Sequence, residues 1–272
     1  MVNSYQPTSL TEALEIRAKE AVTPYAGGTD LMIDPDENAT YLFLNKVPEM
    51  KNIIEDSSYI RIGASCTFTD IIESKLVPEI LKKSSAEIAA PAIRNLGTVG
   101  GNICNGSAKA DSALIFFATD SKLRLLSSKG ERVIPITDFY IGRKKTCLQP
   151  DELLVEILMN KAGLSNYYYK KVGARNALAI SRVSFAGILN IEQGKIANCS
   201  VAFGAVSDVI IRRTDLDAVL IGKTIEEAKA IKEEYIAAYD KAIVPIRGRI
   251  SAEYRKAVCM NLLRDFLESN GI

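Results

Sequence analysis

Arg94–Asn105 reads RNLGTVGGNICN, with Gly97, Gly100 and Gly101 set among Thr98 and Asn102 between two apolar helical runs. Glycine suits backbone positions that need positive φ or close approach to a ligand. Consecutive N–H groups in such a turn form a concavity that binds anions such as phosphate. A second turn of the same kind, Ala26-Gly27-Gly28-Thr29-Asp30, lies well upstream. The two turns together predict a shared cradle on one pyrophosphate. Either turn alone also fits an ordinary Gly-Gly loop, so the weight rests on the pair.

Length and composition bound the rest. A chain of 272 residues has room for roughly two domains. With 47% apolar and 25% charged residues it matches an ordinary globular protein with a sizeable core. A net charge of +1 gives no electrostatic footprint for nucleic acid or an anionic membrane. The opening MVNSYQPTSLTEALE lacks the basic segment and apolar core of a signal peptide, and no apolar run approaches the ~18 residues of a membrane span. A cytoplasmic location is expected. The five cysteines, Cys66, Cys104, Cys147, Cys199 and Cys259, form no C-x-x-C pair and offer no local metal or iron–sulfur site. Histidine is absent, which excludes a Ser-His-Asp triad, H-E-x-x-H zinc chemistry and imidazole acid–base catalysis. In an enzyme component of this composition a cofactor supplies most of the chemistry.

The periodicities predict the elements. Residues 9–19 read as a helix opened by a Ser9–Glu12 capping box. Thr23–Ala26 is a short strand into the first glycine turn, and Tyr41–Leu44 and Tyr59–Ala64 are strands. Helices are expected at Thr69–Glu73, at Glu79–Ala89 and at Asp111–Thr119, the last buried on most sides and capped by Asp111. Strands follow at Lys122–Leu126, Arg132–Ile136 and Leu153–Met159, with 137–152 as an exposed connection. A change of composition near Asn160–Ser165 marks the expected domain boundary, giving a first domain 1–163 (subdomains about 1–56 and 57–163) and a second, 164–272. In the second, Tyr167–Lys170, Val183–Ile191 and Ile196–Gly204 are strands, the last two joined through Gln193-Gly194. Helices close the chain at Thr214–Leu220, at Ile225–Ala238 capped by Thr224 and Glu227, and at Ala252–Ser269, where Tyr254, Val258, Leu262 and Phe266 form a core-facing stripe. Gly222-Lys223-Thr224 lacks the earlier glycine of a P-loop, since Asp217 stands there, and no G-x-G-x-x-G occurs. The tyrosines Tyr167–Tyr169 read as strand rather than as a cofactor platform.

At its glycine turns the sequence resembles the FAD-binding medium subunits of molybdenum hydroxylases, typified by carbon monoxide dehydrogenase and bacterial xanthine dehydrogenase. Tyr25–Met32 (YAGGTDLM) resembles that family's first FAD loop. Ile93–Asn102 (IRNLGTVGGN), followed by Asp111, resembles the second, and Pro245–Leu267, with Arg247, Gly248, Ser251, Ala252, Glu253, Tyr254 and Arg255, its ending. The resemblance implies an α+β architecture: a two-subdomain FAD-binding fold of the vanillyl-alcohol-oxidase-like (PCMH) type, followed by a C-terminal domain with a small antiparallel sheet and helices. It implies that Pro24, Tyr25, Ala26, Gly27, Gly28, Thr29, Asp30 and Leu31 wrap the pyrophosphate and flavin. Thr98, Gly100, Gly101 and Asn102 would hold phosphates and ribityl, and Asp111 would accept hydrogen bonds from cofactor hydroxyls. By position Ile88 and Leu154 would pack on the cofactor and Lys171 would make a polar contact. Gly106-Ser107-Ala108-Lys109 stands where the family commonly has a small-residue run with proline, and the stretch after Met32 is short.

What the resemblance implies for function is electron exit from a larger complex. A partner with a molybdopterin cofactor would hydroxylate a substrate, with a purine such as xanthine the leading choice. A second partner with [2Fe-2S] clusters would pass electrons to this FAD, and the FAD would reduce NAD⁺ or another acceptor. Two other readings stay open at this stage: a flavin-free scaffold that kept the fold, and a stand-alone flavin oxidoreductase.

Overall fold

A computed structural model describes residues 4–246 and 250–272. Arg247 and Gly248, two residues of the C-terminal resemblance, lie outside the described residues. The chain opens with a small parallel sheet in which Tyr41–Phe43 lies between Ser4–Tyr5 and Thr23–Tyr25. Helix Leu10–Lys19 crosses over between the outer strands. Its cap differs slightly from the expected box: Ser9 Oγ accepts from Glu12 N–H, but the Glu12 carboxylate reaches the N–H of Thr8 at 2.7 Å rather than that of Ser9.

A five-stranded antiparallel sheet follows, in the order Ile53–Glu55, Tyr59–Gly63, Leu153–Asn160, Lys122–Ser127, Gly130–Pro135. Its central strand is the last to arrive in sequence. The register there shifts between Leu154 and Glu156, a bulge that breaks the ladder and re-aims neighbouring side chains. Helices Phe68–Glu73, Glu79–Ala86, Pro91–Arg94, Val99–Cys104 and Asp111–Ala118 fill the connection between the second and fourth strands.

Several expectations shift. Helix Glu79–Ala86 stops short of the expected Ala89, because Pro91 disfavours helical backbone before it and Ala89 is left-handed (φ 42°). Asp111 is the first helical residue rather than a cap; Ala110 precedes it without a side-chain bond, and the carboxylate is turned to other partners. The segment 137–152 is not an exposed connection. It holds helix Ile136–Phe139 and the pair Tyr140–Gly142 and Lys145–Thr146, with Phe139 and Tyr140 buried.

The second half is built on a four-stranded antiparallel sheet in sequence order: Tyr167–Val172, Val183–Glu192, Lys195–Gly204, Ile211–Arg212. Gln193 and Gly194 both take positive φ (51° and 77°), the backbone that a tight two-residue hairpin needs. Side chains of a strand alternate between faces, and here the alternation divides two cores. Ala186, Ile188 and Ala202 join the core of the first half, while Val183, Phe185, Leu189, Val201 and Phe203 join a second core. Helix Asp111–Ala118, buried along its whole length, packs on one face. Helix Ala252–Ser269 packs on the other.

Two C-terminal details depart from the pattern. Ile225–Ala238 is two helices, Ile225–Ala230 and Lys232–Ala242, broken at Ile231. In the last helix the buried face runs through Arg255, Cys259, Leu263 and Phe266, and Tyr254 is 45% exposed, so the core stripe is rotated by about one residue from the expected one. The Thr224–Glu227 capping box is present as expected. Among the described residues no helix is long and apolar enough to cross a membrane.

Leu114 lies on the buried helix and within reach of the Gly204 backbone. Leu114→Ala is expected to destabilise the protein by about 2–5 kcal/mol, the scale of a core cavity. Chemical denaturation followed by circular dichroism checks this; a loss well under ~1 kcal/mol would show that the helix–sheet packing is looser than described.

Candidate functional site

The two glycine turns meet. A Cβ added at Gly27 would lie 1.9 Å from the carbonyl oxygen of Leu96 and 3.0 Å from Cα of Gly97. Reciprocally, one added at Gly97 would lie 3.3 Å from Thr29 Oγ1. Each turn is fixed from behind. The Thr23–Tyr25 strand feeds the first, Leu44 N–H donates to Tyr25 O at 2.9 Å, and Gly28 takes φ 69° over the Tyr25 ring. The second is stitched to the segment after Tyr59–Gly63: Gly100 N–H donates to Ala64 O at 2.8 Å and Val99 N–H to Cys66 O at 3.0 Å. Gly100 and Gly101 do not have positive φ; they open a short helix capped by Thr98, whose Oγ1 accepts from Gly101 N–H at 3.1 Å. Gly100 is glycine because of proximity, its Cβ position lying 2.6 Å from Ala64 Cβ.

Between the turns lies a cavity of about 480 Å³. It is lined by Pro24, Ala26, Gly27, Gly28, Thr29, Asp30 and Leu31 from the first turn, by Thr98, Gly100, Gly101 and Asn102 from the second, and by Ile88 and Leu154. Leu154 reaches it at the bulge of the central strand. Among the described residues the N–H groups of Gly27, Gly28 and Thr29 donate to no protein acceptor. Such a run of free amides beside a left-handed glycine is an anion-binding nest. Asn102 Oδ1 accepts from Ser112 Oγ at 2.7 Å, which anchors its side chain at the cavity wall. Ser65 also lines the cavity, and its buried Oγ has no hydrogen-bond partner. A buried hydroxyl left unpaired costs free energy that a polar ligand would recover.

Three expected site residues lie off this wall. Tyr25 stands behind the turn, its ring against Phe43 (centroids 4.7 Å) and Tyr41 (5.7 Å). Asp111 and Lys171 pair with each other at 2.7 Å, both side chains 8% exposed. Ser181 Oγ donates to the second Asp111 oxygen at 2.6 Å, and Lys171 Nζ also donates to Glu87 O at 2.8 Å. Burial raises the Asp111 pKa from its ordinary value against the opposing pull of Lys171 and Ser181. Lys171 thus holds Glu87, and Arg94 Nη1 donates to the carbonyls of Ile88 and Ala89, both at 2.8 Å, so the 87–89 segment is fixed from two sides.

The sequence reading missed Leu44, Met50, Ala64, Ser65, Phe68, Ile93, Gly97, Cys104 and Asn105 on the wall. Gly97, Cys104 and Asn105 stand inside the glycine stretch and were open to inclusion. The others are single apolar or small residues with no local signature.

A cleft in which a turn with free amides touches a second glycine turn is suited to an anionic ligand. Comparison with known proteins says which kind. The FAD-binding domain of molybdopterin dehydrogenases matches residues 1–159, and the C-terminal domain of CO dehydrogenase flavoprotein matches 167–270. The chain is 32% identical to the putative xanthine dehydrogenase FAD-binding subunit of Escherichia coli K12, covering 76% of this chain and 75% of that one. It is 27% identical to the nicotinate dehydrogenase FAD-subunit of Eubacterium barkeri, over 93% of this chain and 90% of that one. Among solved structures it is similar to a chain of the cyanide-inactivated Cu,Mo-CO dehydrogenase, with a TM-score of 0.88 at 26% identity, covering 98% and 96% of the two chains. The chain belongs to the FAD-binding medium subunits of the molybdenum hydroxylase family. Its fold is the expected PCMH-type FAD-binding fold with a C-terminal antiparallel-sheet domain, its cofactor is FAD, and it is a subunit of an oxidoreductase.

Gly27→Ala drives a methyl into the Leu96 carbonyl and is expected to strip bound flavin while leaving circular dichroism near wild type. Visible absorbance per mole of purified protein reads it; full flavin occupancy would show that the turns need not touch to hold the cofactor. Asp111→Ala leaves Lys171 charged, buried and unpaired, and is expected to cost about 3–5 kcal/mol of stability, measured by urea denaturation.

Proposed function

We propose that this chain is the electron-exit subunit of a xanthine dehydrogenase-like complex and that FAD binds in the cavity between the glycine turns. The observation that carries the reading is the contact of Gly27 with Leu96 and Gly97, which brings the free amides of the first turn and the wall of the second, from distant parts of the chain, to one cleft. In this reading the amides of Gly27, Gly28 and Thr29 bind the diphosphate, Ser65 and Asn102 bond to cofactor hydroxyls or oxygens, and Leu154 and Ile88 pack on its apolar parts. The Lys171–Asp111–Ser181 group positions the 87–89 segment rather than bonding the diphosphate. The division of labour follows 1–163 for cofactor binding and 164–272 for the domain that braces it.

FAD, when bound, takes electrons one at a time and gives them up in pairs. The chain's own residues bind and orient it; with no histidine anywhere, none is placed to serve as an imidazole acid or base. A [2Fe-2S] subunit would supply the electrons, a molybdopterin subunit would oxidise the substrate, and NAD⁺ would be the acceptor. The named role of the Escherichia coli relative in xanthine oxidation favours a purine as substrate of the whole complex.

The test is anaerobic mixing of the FAD-loaded chain with NADH, the reverse of the proposed exit step. Bleaching of the flavin absorbance within seconds is expected. An oxidised spectrum that persists, while dithionite bleaches the same sample, would remove NAD⁺ as acceptor and leave the FAD assignment standing.

A further inference from the structure

The turn that carries Ile88 onto the wall of the cavity is held in an unfavourable backbone. Helix Glu79–Ala86 ends just before it, and Pro91 keeps Ala90 extended (φ −90°, ψ 161°), so the chain must reverse within residues 87–89. It does so with Ala89 at φ 42°. Glycine is the usual residue at a left-handed helix ending, because a Cβ there crowds the following carbonyl oxygen. Strain of this kind persists only where the surroundings over-determine it, and it gathers at ligand clamps. Here the strained residue directly follows Ile88, which lines the cavity.

Arg94 supplies the restraint. Its Nη1 donates to Ile88 O and to Ala89 O, both at 2.8 Å. These carbonyls belong to the two planar peptide units on either side of the Ala89 Cα, so one nitrogen fixes both dihedral angles of the turn. Hydrogen bonds from a charged donor are stronger than neutral ones. Arg94 forms no ion pair with any described residue, and it is not on the cavity wall itself. Lys171 also holds this segment, but at Glu87 O, one peptide too early to set the Ala89 angles. The backbone of Arg94 belongs to the next element. Helix Pro91–Arg94 runs into the second glycine turn, where Gly97 N–H donates to Ile93 O at 2.7 Å and Leu96 and Gly97 meet Gly27.

We infer that Arg94 is a positioning residue for FAD: it holds Ala89 left-handed and so keeps Ile88 against the cofactor, without touching the cofactor itself. The inference rests on the reading that FAD occupies the cavity between the glycine turns. A guanidinium in this neighbourhood also attracts a diphosphate by charge at a distance. The two roles differ in what repairs the loss of Arg94, since only the first is repaired by a residue that accepts positive φ.

The test removes FAD from the full chain and restores it by titration, followed by flavin fluorescence and by the visible circular dichroism of the bound flavin. Arg94→Gln is expected to raise the dissociation constant about tenfold or more, the scale of lost hydrogen bonds to a charged group, and to alter the flavin circular dichroism. Adding Ala89→Gly to Arg94→Gln is expected to recover most of the affinity, because glycine takes the left-handed backbone without restraint. An unchanged dissociation constant in Arg94→Gln would overturn the inference. So would a loss that Ala89→Gly does not repair, which assigns the arginine to charge attraction or to folding at large. Should Arg94→Gln fail to fold, Ala89→Val decides with Arg94 intact. A β-branched side chain resists positive φ, so FAD binding should weaken, and unchanged binding would overturn the inference as well. Gly27→Ala checks the underlying reading separately. Flavin retained there withdraws the cavity as the FAD site and this inference with it; flavin lost there but bound normally by Arg94→Gln withdraws the role of Arg94 alone.

Discussion

Gly27 sits against the carbonyl of Leu96 with no room for a single added methyl, and the rest of the molecule is arranged to keep it there. The first turn hangs from a three-stranded parallel sheet, the second from the segment after a strand of the five-stranded sheet, and among the described residues no ladder joins the two sheets. What links them near the cleft is van der Waals contact at glycine, so the cradle depends on side chains that are absent. That accounts for different demands within one motif. Gly28 is needed for its left-handed backbone; Gly27 and Gly100 are needed because another backbone or a Cβ occupies the space.

How much of this is visible in the residues depends on the range of the interaction involved. The longer strands, such as Tyr59–Gly63, Leu153–Asn160 and Val183–Glu192, and the helix Ala252–Ser269 follow from local periodicity, and the Thr224–Glu227 box from a four-residue pattern, whereas the short strands Ser4–Tyr5, Ile53–Glu55 and Ile211–Arg212 carry no such signal. The glycine turns are legible as the walls of one cleft because glycine marks close backbone approach, while the free amides of Gly27, Gly28 and Thr29 in the first and the bonded amides of the second are not told apart by composition. Ser65, Phe68 and Met50 carry no such announcement: they reach the cavity only because their neighbours fold past it. The pairing of Asp111 with Lys171 and Ser181 is not legible for a similar reason, since Asp111 is far from both in sequence and Ser181 lies on a connection with no strong pattern. The 137–152 stretch misled because its glycine, lysines and proline read as exposed loop while Phe139 and Tyr140 fill the core.

Helix Asp111–Ala118 and the four-stranded sheet it rests on carry the connection between the halves. Asp111 opens that helix and bonds to Lys171 on the first strand of the sheet, while Ser200 Oγ donates to Ala118 O at its far end. Both ends of the helix are therefore tied to the sheet by polar bonds, and its flanks by apolar contact. A shift of the sheet would be transmitted to Glu87 through Lys171 and so to Ile88 on the cavity wall.

The sheet itself gives its odd-numbered residues to one core and its even-numbered ones to the other along Val183–Leu189. A proteolytic nick in the 161–166 connector would thus not release two self-sufficient fragments. Each piece would carry away half of a shared oily seam, and the pieces should stay associated or precipitate together instead of separating on a sizing column.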